Sequence, residues 1–301
     1  MSFFINCLKP PGMTSHDVVS YLRKKLNTKR IGHTGTLDPA VAGVLPMAVG
    51  KATRAIEYLN DDKKYRCEAL LGLSTETQDL FGAVTQKLGC QGITEQQILA
   101  NLEKFKGTIN QVPPMYSAIK IKGKRLYELA RVGKEVEVPA RTVEIKELQV
   151  ISIIKKDNFY LVLFDIWCEK GTYVRTICHD LGKLLGCGGA MSFLIRMEAG
   201  PFKIEDAVTL EEIASNRDFT KINIEDALLG MDSVMVDDLQ QQRLSYGQAV
   251  KYNSQQLKQA RGLQLNCDNI KVFTKKHLFM GIGQISMAHG EQLLKMKKTL
   301  I

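Results

Sequence analysis

Metal-binding and disulfide patterns are the first things this chain lacks. Its seven cysteines, Cys7, Cys67, Cys90, Cys168, Cys178, Cys187 and Cys267, are odd in number, and no two stand at Cys-x-x-Cys spacing. Neither a disulfide framework nor a zinc knuckle is indicated, and a reducing cytoplasm is the expected setting. The N-terminus has no charged-then-apolar leader pattern, and no apolar run approaches the roughly twenty residues that cross a bilayer, so neither export nor membrane spanning is expected. A dinucleotide fingerprint is missing too. The nearest approach to a phosphate-binding P-loop fails on spacing: six residues separate Gly43 from Gly50-Lys51, and Ala52 stands where a Ser or Thr should bind magnesium. Internal repeats and low-complexity tracts are also wanting.

What is present is a chain of 301 residues, 45% hydrophobic, long enough for one large or two ordinary globular domains with a real core. The formal charge of +9 favours a polyanionic partner through counterion release and steering. The excess is uneven. From Val236 to Ile301 there are ten Lys or Arg against four Asp or Glu, about +6 of the total. A second basic stretch runs through Lys120, Lys122, Lys124, Arg125, Arg131 and Lys134, opposed mainly by Glu128 and interleaved with Tyr116 and Tyr127. That mixture suits phosphate contact with base stacking, although a solvated helix face with core tyrosines has the same composition.

Hydrophobic periodicity places the elements. Ser15 is positioned to cap a helix presenting Val18, Val19, Leu22 and Leu26, ended by Asn27. A further helix is expected over Ala52 to Leu59. Tyr65, Cys67 and Ala69 alternate with Arg66 and Glu68 as in a strand, and Thr94 with Gln97 forms a capping box before Ile98, Leu99, Leu102 and Phe105, with Gly107 closing that helix. Val143 to Ile154 and Phe159 to Trp167, joined by Lys155-Lys156-Asp157-Asn158, read as an antiparallel hairpin. Tyr173, Ile177, Leu181 and Leu184 read as a helix with Arg175 in its first turn. A boundary is expected near Gly230 to Asp238. Beyond it Lys271-Val272-Phe273, Leu278 to Gly283 and Gln284-Ile285-Ser286 read as short strands joined by tight turns. Hairpin and irregularly spaced helices together favour an α+β fold over a parallel βαβ sheet.

The richest segment is Lys29-Arg30-Ile31-Gly32-His33-Thr34-Gly35-Thr36-Leu37-Asp38-Pro39, continuing to Gly50-Lys51-Ala52-Thr53-Arg54. Gly32, Gly35, Gly43 and Gly50 permit close or left-handed backbone, and Pro39 and Pro46 interrupt any helix, so the run reads as a shaped loop carrying a single carboxylate, Asp38, between basic ends. An isolated Asp-Pro would more often be a plain turn.

Residue by residue this segment resembles the signature loop of the TruB family of tRNA pseudouridine synthases, Gly-His-Thr-Gly-x-Leu-Asp-Pro. Other stretches resemble that family's motifs in the family's order: Lys9-Pro10-Pro11-Gly12-Met13-Thr14-Ser15, Lys64-Tyr65-Arg66, Pro113-Pro114-Met115-Tyr116-Ser117-Ala118-Ile119-Lys120, Lys170-Gly171-Thr172-Tyr173-Val174-Arg175-Thr176, and Leu194-Ile195-Arg196 before Gly200-Pro201-Phe202. Ile195 departs from the usual first arginine of the last. The resemblance implies a pseudouridine synthase catalytic domain over residues 1–235, with a mixed or antiparallel central sheet flanked by helices. It also implies a small PUA-like RNA-binding β-barrel over residues 236–301.

The activity so implied is conversion of the T-loop uridine at tRNA position 55 to pseudouridine. It implies a cytoplasmic, monomeric enzyme with the tRNA T-arm as partner and no guide RNA, cofactor, metal ion or membrane. Asp38 is implied as the catalytic carboxylate, which could attack the sugar, attack C6 of the base or promote a glycal. Arg175 is implied to pair with it and Tyr65 to lie against the base. His33 would fill the gap left by a flipped base and Leu194 would line the base pocket. Tyr173 accompanies Arg175 in its motif, and Lys9, Lys64, Lys120 and Lys170 are offered as phosphate contacts or motif supports. Two other classes compete: a non-catalytic tRNA-binding or RNA-folding protein on the same scaffold, and an aspartate-dependent nucleoside or sugar hydrolase. The hydrolase needs a second carboxylate, for which Asp79, Asp165 and Asp180 are nameable without a supporting motif.

Overall fold

The structure, a computed structural model, describes residues 2–121, 123–134, 136–215, 219–252, 257–258, 268–288 and 290–300, with Arg131 and residues 257–258 described by backbone alone. Lys122, Cys267 and the Arg131 side chain, named above, lie outside the described residues. Two compact units emerge: Met1–Ala40, Val44–Asn60 and Gly200–Ile301 form the first, Val41–Gly43 and Asp61–Ala199 the second.

The first unit opens with strand β1 (Phe3–Lys9), which is almost wholly buried. Helix α1 (Ser15–Lys25) follows, with Val18, Val19 and Leu22 inward. Its cap is Thr14, not Ser15: Thr14 and Asp17 form the reciprocal capping box, which leaves Ser15 as the first helical residue, buried and free to bond elsewhere. Asn27, at φ 46°, ends the helix in the left-handed region that Asn tolerates. Strands β2 (Ile31–His33) and β3 (Ala42–Val49) then pair antiparallel, from Ile31 opposite Val49 to His33 opposite Met47. The shaped loop expected across residues 32–50 is therefore a hairpin. Pro46 sits inside a strand, and only residues 34–41 form the loop. The helix expected over Ala52 to Leu59 is instead two 3₁₀ turns, Gly50–Arg54 and Ile56–Tyr58, since no side chain caps the N-terminus at Val49 and each turn is too short to propagate an α-helix.

In the second unit, β4 (Lys63–Leu71) buries Tyr65, Cys67, Ala69 and Leu71 on one face. Strands β5 (Leu73–Thr75) and β6 (Val84–Lys87) form a small hairpin. Helix α2 (Glu95–Glu103) carries the Thr94–Gln97 capping box read from the sequence. It stops at Lys104, and Gly107 begins strand β7 (Gly107–Gln111) rather than closing the helix. Two-residue strands β8 (Lys120–Ile121) and β9 (Lys124–Arg125) lead into α3 (Leu126–Arg131). The long hairpin is present as β10 (Arg141–Lys156) and β11 (Phe159–Cys168), turning at Asp157, whose φ is 51°. Helix α4 (Val174–Leu184) starts one residue after Tyr173, and β12 (Gly189–Ala199) completes the sheet. The strand order is β12-β4-β11-β10-β7, antiparallel throughout, with Ala42 and Gly43 at the start of β3 pairing parallel to Ile195 and Arg196 of β12. The mixed, mainly antiparallel sheet of the α+β expectation is thus the one observed.

The chain then returns to the first unit through β13 (Phe202–Lys203), α5 (Leu210–Ala214) and α6 (Ile224–Ala227). Here Val208 and Ile222 bridge back to β1. A second sheet follows: β14 (Ser233–Val236), α7 (Asp238–Ser245), then β15 (Val250–Lys251), β16 (Leu257–Lys258), β17 (Ile270–Thr274), β18 (Phe279–Ala288) and β19 (Glu291–Thr299). Its order is β15-β19-β18-β17-β14-β16, around a core of Val234, Val236, Leu244, Ile270, Val272, Met280 and Leu294. This is the PUA-like β-module expected at the C-terminus. Leu278 to Ser286 does not break at Gly283 into two strands; most of it belongs to the single strand β18, which pairs with both β17 and β19. Among the described residues no helix is long and apolar enough to cross a membrane.

Candidate active site

Asp38 sits half-buried at the tip of the β2–β3 hairpin, and both of its peptide neighbours are tied down from one segment of chain. Leu37, buried beneath it, donates its N–H to Ser15 Oγ at 2.9 Å, and the same hydroxyl donates back to the Leu37 carbonyl at 3.3 Å. On the other side the Pro39 carbonyl accepts from Lys9 Nζ at 3.1 Å and from the Gly12 N–H at 2.8 Å. Lys9 is fully buried, and its ammonium also donates to the carbonyls of Pro10 (2.9 Å) and Met13 (2.6 Å). Three carbonyls around one buried cation satisfy every N–H it has, which is the arrangement that makes such a charge tolerable. In the structure the Lys9 ammonium is engaged by the chain's own carbonyls. Thr34 N–H closes the neck of the loop on the Pro46 carbonyl at 3.1 Å. His33, half-buried, is the last residue of β2.

In the second unit the sheet face that carries Tyr65 also carries Leu194 and Arg196, because Leu194 is opposite Cys67 and Arg196 opposite Tyr65. Helix α4 covers this face: Cys67 Sγ and Cys178 Sγ approach to 3.4 Å, and burial pushes the Cys67 thiol well up, so Cys67 stays protonated there. Three residues before Cys178, the buried Arg175 has its guanidinium oriented by three acceptors. Nη1 donates to the Thr77 carbonyl at 3.1 Å and to Asp79 Oδ2 at 3.4 Å, and Nη2 donates to the Tyr116 carbonyl at 3.0 Å. Gln111 brackets the helix entrance, accepting from Tyr173 N–H at 2.8 Å and donating to its carbonyl at 3.0 Å. Thr176 Oγ1 donates to Gln78 Oε1 at 2.8 Å. Segments far apart in sequence, at 77–79, 111–116 and 173–176, therefore meet at one guanidinium. The start of β3 is seated close to Leu194 as well: Gly43, at φ 125°, lies where a Cβ would land on the Arg196 backbone.

The remaining expected residues are spread. Lys64 is half-buried on the opposite sheet face, across from Trp167, and Lys120 is exposed at the start of β8. Lys170 is exposed and reaches Asp61 at 3.7 Å. Of the carboxylates considered for hydrolysis, Asp165 pairs with Arg66 on the outer face at 2.8 Å, where it holds the guanidinium pKa up. Asp180, on α4, has its pKa raised by burial. Asp79 is the one sequence reasoning undervalued. It is an ionic partner of Arg175, and the signal for it was the run Thr75-x-Thr77-x-Asp79 ahead of Gly82, a cluster of turn-forming side chains inside a strand-rich stretch. Among the described residues no group of three or more His, Cys, Asp or Glu side chains is placed to hold a metal ion.

Comparison with known proteins adds to this geometry. Residues 23–174 match the N-terminal domain of the TruB family pseudouridylate synthases, and residues 175–236 match the tRNA pseudouridylate synthase B C-terminal domain. The tRNA pseudouridine synthase B of Moorella thermoacetica is 56% identical over 212 residues, 70% of each chain. That of Clostridioides difficile is 41% identical over 309 residues, covering the whole of both. Among solved structures, a chain in the crystal structure of a Cbf5-Nop10-Gar1 complex superposes with a TM-score of 0.73 at 27% identity, covering 99% of this chain and 85% of that one. With its motif loops built as described and both family domains matched in sequence, the chain belongs to the TruB family of pseudouridylate synthases.

Proposed function

We propose that this chain isomerises uridine in tRNA to pseudouridine, that the target is the T-loop uridine at position 55, and that Asp38 is the carboxylate that does the chemistry. The observation that carries the reading is the clamp on Asp38: Ser15 holds Leu37 and Lys9 holds Pro39, so the carboxylate between them is aimed before any substrate arrives. The reaction breaks N1–C1′, turns the uracil while it stays bound, and forms C5–C1′, with the C5 proton lost and N1 reprotonated. It is balanced without oxidant, reductant or nucleotide, and the reading assigns no cofactor. A carboxylate serves it by stabilising positive charge at C1′ or by covalent attack.

Arg175 is assigned to the same reaction as a permanent cation that favours an ionised carboxylate. Tyr65 is assigned a place against the base with its hydroxyl available for proton transfer, and Leu194, on the same sheet face, contributes to the base pocket. A base inside a folded loop must leave its stack at a cost of a few kcal/mol, and His33 is assigned to the gap it leaves. Tyr173, Lys64 and Lys120 are substrate contacts in this scheme. The protein acts as a cytoplasmic monomer on tRNA without a guide RNA. Residues 1–235 are the catalytic domain and 236–301 the RNA-binding one, where the surplus of Lys and Arg neutralises phosphates.

The test is incubation of the purified protein with an unmodified tRNA transcript, followed by carbodiimide adduct mapping and primer extension, with Asp38→Asn in parallel. One new stop at the T-loop uridine, lost in the variant while binding stays within about tenfold, supports the reading. Absence of any stop despite tRNA binding would leave the RNA-binding reading in its place.

A further inference from the structure

We propose that Phe81, with Leu80 beside it, is a platform on which an unpaired nucleobase of the RNA substrate stacks next to Arg175; the inference rests on the tRNA-modifying reading above and adds a substrate contact to it. Phe81 is 76% exposed and Leu80 45%, and Val84 and Leu88 further along the same excursion are 58% and 53% exposed. Isolated surface hydrophobes need no explanation, but four within nine residues, led by an aromatic ring, do.

The backbone beneath Phe81 is unusually constrained for a surface turn. Asp79 Oδ1 accepts from the Phe81 N–H at 3.0 Å and from Thr77 Oγ1 at 2.6 Å, while Thr75 Oγ1 donates to the Asp79 carbonyl at 2.6 Å. Gln78 is held at φ 64°, a conformation costly for a residue with a side chain, and its carbonyl accepts from Met191 N–H at 2.9 Å. Leu80 N–H returns to the Met191 carbonyl at 3.1 Å. Gly82 packs so closely on Thr77 that a Cβ there would overlap its side chain. A turn this fully bonded fixes the point from which the ring projects, and an aromatic has few side-chain rotamers to lose on stacking. The same carboxylate that pins the turn through Oδ1 reaches Arg175 through Oδ2, so the Phe81 backbone and the Arg175 guanidinium are held by one group. A flat, uncharged ring on a chain of net charge +9 matches an unpaired base better than it matches a protein surface, which would need a larger apolar area.

Phe81 is too exposed for its loss to unfold the chain, so its replacement reads the contact directly. Phe81→Ala is expected to raise KM for a tRNA transcript about tenfold while kcat at saturation stays within about twofold, and Phe81→Tyr to restore KM. Trp167 is the chain's single tryptophan, so Phe81→Trp in a Trp167→Phe background gives one indole reporter, expected to be quenched on titration with tRNA. KM equal for Ala and Phe at position 81, or an indole indifferent to tRNA, would overturn the proposal. The titration needs binding only: quenching without pseudouridine formation would remove the proposed reaction and keep the platform, and turnover without quenching would do the reverse.

Discussion

Replacing Asp79 by Asn probes the Arg175 site with almost no change in shape. The two side chains are 12% and 6% exposed, so solvent screens their interaction little. Aspartate serves two masters: Oδ1 accepts from Thr77 Oγ1 and Phe81 N–H, and Oδ2 accepts from Arg175 Nη1 at 3.4 Å. An amide can serve only one. If its oxygen stays on the turn, its NH₂ faces Nη1, donor against donor; if it flips, the NH₂ faces the Phe81 N–H, that bond is lost, and the Thr77 hydroxyl must turn round to accept. Breaking a buried ion pair typically costs about 3–5 kcal/mol. Arg175 keeps the carbonyls of Thr77 and Tyr116, and 3.4 Å is long for a charge-assisted bond, so the lower end, about 3 kcal/mol, is expected here. Urea denaturation of Asp79→Asn, Arg175→Met and the double variant forms a cycle, with a coupling of about 2 kcal/mol expected at unchanged m. Single-turnover pseudouridine formation on saturating tRNA should fall at least about tenfold in Asp79→Asn, since the guanidinium loses its charged orienting partner. Additivity of the two single variants within about 0.5 kcal/mol would refute the pairing as an energetic unit.

Ser15→Ala removes two hydrogen bonds to Leu37 and should cost about 1–2 kcal/mol, with a loss of activity larger than the loss of stability because Asp38 is then less well aimed; circular dichroism melts and turnover assays separate the two. Lys9→Met takes the ammonium from the carbonyls of Pro10, Met13 and Pro39, of which Pro39 keeps the Gly12 N–H, and should destabilise by about 3 kcal/mol or more, read in the same melts. Gly43→Ala combines a φ of 125° with a collision on the Arg196 backbone, and we expect either an insoluble product or a loss of more than about 3 kcal/mol, checked by yield and urea midpoint. Burial lifts the Cys7 thiol from 9.0 to about 12. Between those values the unfolded chain has released its proton and the folded chain has not, so stability is intact below pH 9 and falls by about 1.4 kcal/mol per pH unit above it. Cys7→Ala should flatten the alkaline slope of the urea midpoint by that amount, and an unchanged slope would place the alkaline sensitivity elsewhere.

Local patterns were legible where local physics decided them. The Thr94–Gln97 capping box, the alternation around Tyr65 and the hairpin turning at Asp157 each depend on residues within a few positions of one another, and each is found as read. Ser15 was misassigned as a cap because its neighbour Thr14 has the same chemistry. Only the fold reveals that Leu37, distant in sequence, claims the Ser15 hydroxyl. The helix expected from Ala52 failed for a related reason: good helix formers without a capping side chain gave short 3₁₀ turns. Asp38 was conspicuous because Gly and Pro crowd around it. Asp79 was not, because its meaning depends on Arg175, which reaches it only once α4 lies on the sheet. The burial of Lys9 was equally hidden, since a lysine near a candidate anion site is open to phosphate contact or motif support until its surroundings are known.

The bridges that join β1 to Val208 and Ile222 bear on how the protein is made. Phe4 exchanges both backbone hydrogen bonds with Ile222, and Val208 N–H and carbonyl bond to Asn6 and Leu8. These partners lie some two hundred residues downstream of β1. At about 5–20 residues per second, synthesis of the intervening chain takes roughly 10–40 s. Through that interval a nascent segment containing Phe3, Phe4 and Ile5 waits without the neighbours that later cover it, while the second unit, contiguous from residue 61 to 199, has everything it needs to fold first. The order of folding therefore runs against the order of the sequence at β1, and that strand is where a nascent-chain chaperone would be found holding on.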